Sequence, residues 1–338
     1  VLPRWQLTNH DCSVWLRHNS VINNESDARE TAELLWMMNE KLSELKNKFQ
    51  KSLLRKPPVN FINNEWQDGY KSALSRGIDL VDSGELKKLV IAARQSIVLQ
   101  EPLDSLKMLF NLRHQQSTSC RFLWSTAKHQ SFFGASPERL LSVNAGQIRS
   151  DALAGTAHKD DCGEALLRSD KNLREHQLVV AAITKQLINQ GLEPLRPRGP
   201  QLVNQGHLIH LHTPIVASAK GKLPLHLVGA LHPTPAVAGL PRKKALNWLR
   251  ALESFERGSY AAPIGWIDSG GDAEFRVAIR CGYARGKQVD LIAGAGLVQG
   301  SSIQAELQEV DLKLKLLADQ LELGIDYQSN VSTRHSIT

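Results

Sequence analysis

The stretch Lys88–Leu99, KLVIAARQSIVL, decides how the rest of the chain is read. It is rich in β-branched and apolar residues and predicts a strand. Successive strand residues point to opposite faces, so one of Lys87 and Lys88 enters the protein if the strand is covered. A buried ammonium is costly unless it loses its charge or meets a partner, and desolvation is one route to a lysine general base. The plainer reading leaves both lysines exposed at a strand start.

Outward from that strand the pattern is mixed. Downstream, Arg121–Trp124, Ser131–Phe133 and Leu140–Val143 read as short strands separated by turn residues. Upstream, Glu25–Leu54 reads as a helix opened by Asn24 as a possible cap and stopped by Lys56-Pro57-Pro58, with a second helical stretch near Trp66–Arg76. A long helical pattern runs from Gly163 to Gly191 and ends before EPLRPRGP, the best linker candidate. Strands around His207–Ser218, a helix near Arg242–Leu252, strands at Tyr260–Ile267, Glu274–Cys281 and Gln288–Ala293, and a helix from Ser302 to about Leu323 follow. Runs of strands broken by long helices, without regular βαβ alternation, predict antiparallel sheets flanked by helices, an α/β fold of the α+β type. Residues 1–79 are expected to form the N-terminal part and 80–338 the catalytic region of one compact unit.

The chain has 338 residues, 42% hydrophobic and 22% charged, which excludes intrinsic disorder and suffices for a large core. Its longest apolar runs, such as Leu178–Ile183, fall far below the roughly 20 residues that span a bilayer. Cys12, Cys120, Cys162 and Cys281 form no CxxC pair, which argues against a disulfide framework or a structural zinc site and makes a soluble cytoplasmic protein the expectation. The net charge of +7 suits an anionic partner and leaves a nucleic-acid-binding protein as an alternative of another class, unsupported by any basic-aromatic stripe or helix-turn-helix pattern. Nothing in the chain specifies an oligomeric state. Strand-like material directly after Val1 predicts a processed or truncated start.

Several positions could carry chemistry. Gly294–Gly300, GAGLVQG, follows a strand and precedes a helix, but its GxGxxxG spacing departs from the dinucleotide pattern. It reads either as a tight turn or as bare N–H groups that receive a carboxylate. Glu306, Glu309 and Lys313 share one face of the last helix. That face is ordinarily solvated; turned inward, its carboxylates would need a divalent cation, with oxygen ligands favouring Mg²⁺, and Glu175 is a candidate third carboxylate. His207, His210 and His212 invite a metal reading but lack an identifiable third ligand, so packing or hydrogen bonding is the alternative. His232, fixed between prolines and a glycine, reads as a binding loop or a turn, and Glu138 in Ser136-Pro-Glu-Arg139 as a turn acid.

Taken in order, KLVIAAR at 88–94, GASPERL at 134–140, ALAGT at 152–156, KNLREH at 171–176, LHPTPAVAGLPR at 231–242, YAAPIGW at 260–266, RVAIR at 276–280, AGAG at 293–296 and ELQEVDLK at 306–313 resemble the motifs of the chorismate-utilising enzymes. The likeness is strongest to the menaquinone-pathway isochorismate synthases and covers roughly residue 80 to the end. It implies the anthranilate synthase component I-like fold, with Lys88 as the general base activating water for attack at C2 of chorismate and Glu138 as the general acid protonating the departing C4 hydroxyl. Related enzymes that use ammonia usually carry a glutamine where Lys88 stands, so the lysine favours water. The resemblance further implies that Glu175 and Glu309 hold Mg²⁺, Glu306 assisting through water. Tyr260, Arg280, Gly294 and Gly296 would receive the pyruvyl carboxylate, Gly155 and Thr156 would line the ring-carboxylate side, and His232 and Lys313 would complete the polar wall. A salicylate synthase and a siderophore-pathway isochorismate synthase are the alternatives inside the family. Departures from its usual pattern are Ala93 with Arg94 one place late, Asp151 for a glutamate and Leu307 for a tryptophan.

Overall fold

The computed structural model describes residues 2–10, 13–48, 59–116, 118–127, 129–158, 163–205 and 208–323. The chain divides into two units, 1–55 and 56–338. In the first, β1 (Trp5–His10) and β2 (Ser13–His18) pair antiparallel, so the strand-like start supplies its own partner. Helix α1 (Glu25–Lys48) follows, and the Asn24 side chain caps it by accepting from the Asp27 N–H at 2.9 Å. Lys56-Pro57-Pro58, expected to stop this helix, lies outside the described residues.

The second unit continues through β3 (Val59–Asn63), α2 (Trp66–Asp82), β4 (Lys88–Leu99), α3 (Ser105–Gln115), β5 (Cys120–Ala127), β6 (Gln130–Ser136), β7 (Arg139–Asn144) and β8 (Gln147–His158). Then come α4 (Gly163–Arg168), α5 (Asp170–Asn189), β9 (Gln201–Gln205), β10 (Leu208–Ser218), α6 (Pro224–Leu231), β11 (Gly239–Leu240) and α7 (Arg242–Leu252). The last elements are β12 (Pro263–Ile267), β13 (Ala273–Val277), β14 (Cys281–Arg285), β15 (Gln288–Leu297) and α8 (Ile303–Gln320). Among the described residues these strands make two antiparallel sheets. One has six strands in the order β12-β13-β7-β8-β10-β9; the other has seven, β11-β4-β15-β14-β6-β5, with β3 also on β4. The segments β3 and α2, earlier than residue 80, thus belong with the larger sheet.

Strand β4 shows why the division of faces works. Its odd-numbered residues Leu89, Ile91, Ala93 and Ile97 join a core with Leu74 of α2 and Val310, Leu314 and Leu317 of α8. Ala92, on the other face, joins a second core with Ile292 and Phe132 of the same sheet, Leu141, Ile215 and Val277 of the smaller sheet, and Val179 and Ile183 of α5. Lys88 shares the parity of Ala92 and is 1% exposed, whereas Lys87 is exposed. The displaced arginine of the strand motif leaves the pairing intact: Ala93 packs in the first core and Arg94 lies over the Phe255 ring at 5.1 Å.

Three expectations change. The helix predicted from Gly163 to Gly191 is two helices, because Ser169 takes an extended conformation and caps α5 by accepting from the Asn172 N–H. Four strands, β12 to β15, fill the region predicted to hold three. Finally, Gly294 and Gly296 are not a strand-to-helix turn: they continue β15, opposite Ala92 and Val90 of β4, and the loop begins only at Val298.

Candidate active site

Two of the passages from one sheet to the other are short: from β6 to β7 through Pro137 and Glu138, and from β13 to β14 through Ala278–Arg280. The crossings are hydrogen-bonded to each other. The Ser136 hydroxyl donates to the Val277 carbonyl at 2.6 Å, the Val277 N–H to the Glu138 carbonyl at 3.1 Å and the Ala135 N–H to the Arg280 carbonyl at 3.1 Å. Glu138 and Arg280 therefore line the same cleft, with Gly155, Thr156, Glu175, Tyr260, Gly294, Gly296, Glu309 and Lys313.

Glu138 is 4% exposed and has one long contact, 3.4 Å from the Thr234 hydroxyl. Burial pushes its pKa up to about 7, against the opposing pull of the Lys88 charge and of Thr234. A carboxyl in this setting carries its proton near neutral pH and can give it up. Lys88 resolves the question that its burial raises by meeting a partner, Glu175 Oε1 at 2.9 Å. A Cβ on Gly296 would collide with that Glu175 carboxylate, so the glycine is what admits the pair.

The second motif glycine acts through the backbone too. Gly155 has φ +77° and is the extra residue at a bulge: His210 pairs with Thr156 and Leu211 with Ala154. The bulge brings Thr156 and His210 to one side, where the Thr156 hydroxyl lies 3.0 Å from His210 Nδ1 and Arg280 Nη2 lies 3.2 Å from His210 Nε2. Guanidinium can only donate, so Nε2 accepts and Nδ1 bears the imidazole proton. Burial, then the charges of Arg280 and Lys313, hold the His210 pKa well below the usual range and keep the ring neutral. Arg280 itself adopts φ +51°, and burial lowers its pKa to about 10.

Lys313 donates to the Gly294 carbonyl at 2.8 Å and to Glu309 Oε1 at 2.7 Å, one turn back on α8. In a strand the N–H and C=O of one residue point the same way, so Gly294 turns both away from β4, and Gly296 two places on does likewise. Strand β14 begins opposite Ile292, which leaves this edge of β15 uncovered towards the cleft. Any N–H groups these glycines offer to a ligand thus belong to the end of a strand and not to a turn.

Glu306 does not line the cleft; it is fully buried, and its Oε1 lies 2.5 Å from Lys171 Nζ. Desolvation and the neighbouring Glu309 charge raise its pKa, whereas Lys313 and Lys171 overcome burial and lower that of Glu309. His232 stands behind the wall, its Nε2 2.8 Å from the Ala261 carbonyl, and so steadies the turn that carries Tyr260. His212 pairs with Asp151 at 3.1 Å, and Asp151 also holds Arg139 and Arg149; the shorter acid is thus fully engaged. His207 lies outside the described residues. In the sequence His210 reads as a packing or metal-ligating residue and nothing local marks Lys171 or Thr234; only the partner strands and helices reveal their contacts.

Among the described residues no three acidic, histidine or cysteine side chains form a ready metal cluster, since each of Glu175, Glu306 and Glu309 is matched by a lysine. The donor set nevertheless fits a hard divalent cation: it is all oxygen, and Glu306 Oε2 is buried without a hydrogen bond.

The cleft thus holds a buried carboxyl whose pKa is raised together with carboxylates matched by lysines. A family profile described as chorismate binding enzyme matches residues 1–322, and the chain belongs to that family. It is 36% identical to the isochorismate synthase MenF of Bacillus subtilis over 263 residues, 75% of this chain and 56% of that protein. It is 38% identical to the salicylate biosynthesis isochorismate synthase of Pseudomonas aeruginosa over 274 residues, 76% of this chain and 56% of that one. The chain thus spans about half the length of these curated relatives. MenF, the menaquinone-specific isochorismate synthase from Escherichia coli, superposes with a TM-score of 0.81 at 28% identity, covering 95% of this chain and 75% of that one. The fold is that of the chorismate-utilising enzymes.

Proposed function

We propose that the chain converts chorismate to isochorismate with Mg²⁺ bound, by water attack at C2 and loss of the C4 hydroxyl. The observation that carries this reading is Glu138, a buried carboxyl held near pKa 7, lining one cleft with Glu175, the partner of Lys88. Glu138 in its protonated form is the donor to the departing hydroxyl, and Thr234 fixes its carboxyl from behind. Lys88, buried and reaching the cleft through its contact with Glu175, is the base for the attacking water once Glu175 serves as a metal ligand. Glu175 and Glu309 are the proposed ligands, with Glu306 assisting; the metal would neutralise the ring carboxylate. Arg280, kept in place by neutral His210, takes the pyruvyl carboxylate together with Tyr260 and the Gly294 and Gly296 N–H groups. Hydroxyl transfer without redox change needs no further cofactor.

Likeness to MenF proteins favours menaquinone synthesis as the outlet. No described helix is long and apolar enough to cross a membrane, and Cys120 and Cys281 are free thiols, which suits a cytoplasmic enzyme. The test is incubation of the purified chain with chorismate and either Mg²⁺ or EDTA, with products identified by mass spectrometry and NMR. Isochorismate formed only with Mg²⁺ is expected. Salicylate with pyruvate would select the other family activity, and no turnover by the folded chain would overturn the assignment.

A further inference from the structure

The three lysine–carboxylate pairs are not equivalent. Lys88 is 1% exposed, and Lys313 has two partners, Glu309 and the Gly294 carbonyl. Lys171 has a side chain 25% exposed and, among the described residues, a single polar partner, Glu306 Oε1. It sits in the first turn of α5 and Glu306 in the first turn of α8, so their contact ties the two helix starts together.

The pair is asymmetric. Glu306 is fully buried and its second oxygen has no hydrogen bond, so the carboxylate cannot turn to water. The lysine, on a long flexible stem at a half-open position, can. Its charge also reaches the other carboxylates: burial alone would lower the Lys171 pKa, yet Glu306, then Glu309 and Glu175, raise it. One ammonium therefore lies within the field of all three.

We propose that Lys171 is a displaceable counter-cation, which competes with a divalent cation for Glu306 and withdraws to solvent when that cation binds. This rests on the reading that Glu175, Glu306 and Glu309 serve a divalent cation. The experiment titrates Mg²⁺ alone into the full chain, by calorimetry and by thermal melting, for the wild type and for Lys171→Met, which keeps the stem and drops the charge. The variant is expected to melt lower than wild type without Mg²⁺ and to bind Mg²⁺ about tenfold more tightly, since a full charge a few ångströms from the site no longer opposes it. Lys185→Met, which removes a cation farther along α5, should leave the affinity within about twofold. If Lys171→Met does not fold, Lys171→Gln, which retains a donor to Oε1, makes the same comparison. A wild type that binds Mg²⁺ with a variant that binds it equally or less well overturns the inference alone. Mg²⁺ binding by neither protein removes the metal reading and the inference together.

Discussion

The two ends of the cleft use the same residue type for opposite purposes. At one end Glu138 has a single long hydroxyl contact and its pKa is pushed up to about 7; at the other Glu309, whose side chain is 25% exposed, is held low by Lys313 and Lys171. Burial acts on both in the same direction. Cationic contacts decide between them: Lys313 touches Glu309 at 2.7 Å, whereas Lys88 has given its ion pair to Glu175 and reaches Glu138 only through its field. A glutamate keeps or releases its proton near neutral pH according to whether a lysine contacts it.

Removing the donor is the sharpest way to break this contrast. Glu138→Gln should cut chorismate turnover by about 10²–10⁴-fold while circular dichroism shows the fold kept, and Lys88→Ala should lose about as much. Near-wild-type rates in either variant would end its assigned role. At the opposite end, Glu309→Gln should abolish Mg²⁺-dependent thermal stabilisation without loss of folding; an undiminished Mg²⁺ response would remove Glu309 from the ligand set.

Protonation gives a third, smaller signature. Between the ordinary glutamate value of 4.5 and about 7, folded Glu138 holds a proton that the unfolded chain has released, so stability contributed by this group falls as pH rises through that window. The loss is on the order of 3 kcal/mol and should disappear from denaturation curves of Glu138→Gln. Turnover should likewise decline as pH passes about 7 and the acid loses its proton. Least of all, Thr234→Val removes the hydroxyl 3.4 Å from Glu138 and should move that declining limb to higher pH by less than about one unit, because the bond is long. A limb that does not move would show the hydroxyl to be irrelevant to Glu138.

Much of the scaffold was legible because it obeys short-range periodicity. Strand β4 matches the predicted bounds of Lys88–Leu99, and α7 matches Arg242–Leu252. Strand alternation sets Lys87 and Lys88 on opposite faces and the helical repeat sets Glu306, Glu309 and Lys313 on one, but that Lys88 is buried follows only from what covers the strand. Harder to read was the glycine run at 294–296. Glycine marks a turn by local rules, but β4 supplies a partner strand for it and the Lys88–Glu175 pair supplies a reason to exclude a Cβ. Gly155 was visible as part of a motif, its role as a bulge only from the β8–β10 register.

Local periodicity settled which side chains share a face: Lys87 and Lys88 on opposite faces at the start of β4, carboxylates and a lysine on one face of α8, and an acid next to a proline between two strands. Their partners, and hence their charge states, come from contacts between distant segments. Lys88 and Glu175 meet from positions 87 residues apart, Lys171 and Glu306 from 135 apart, and Thr234 reaches Glu138 across 96. Proton affinity depends on desolvation and on charges within a few ångströms, and neither quantity exists along an extended chain.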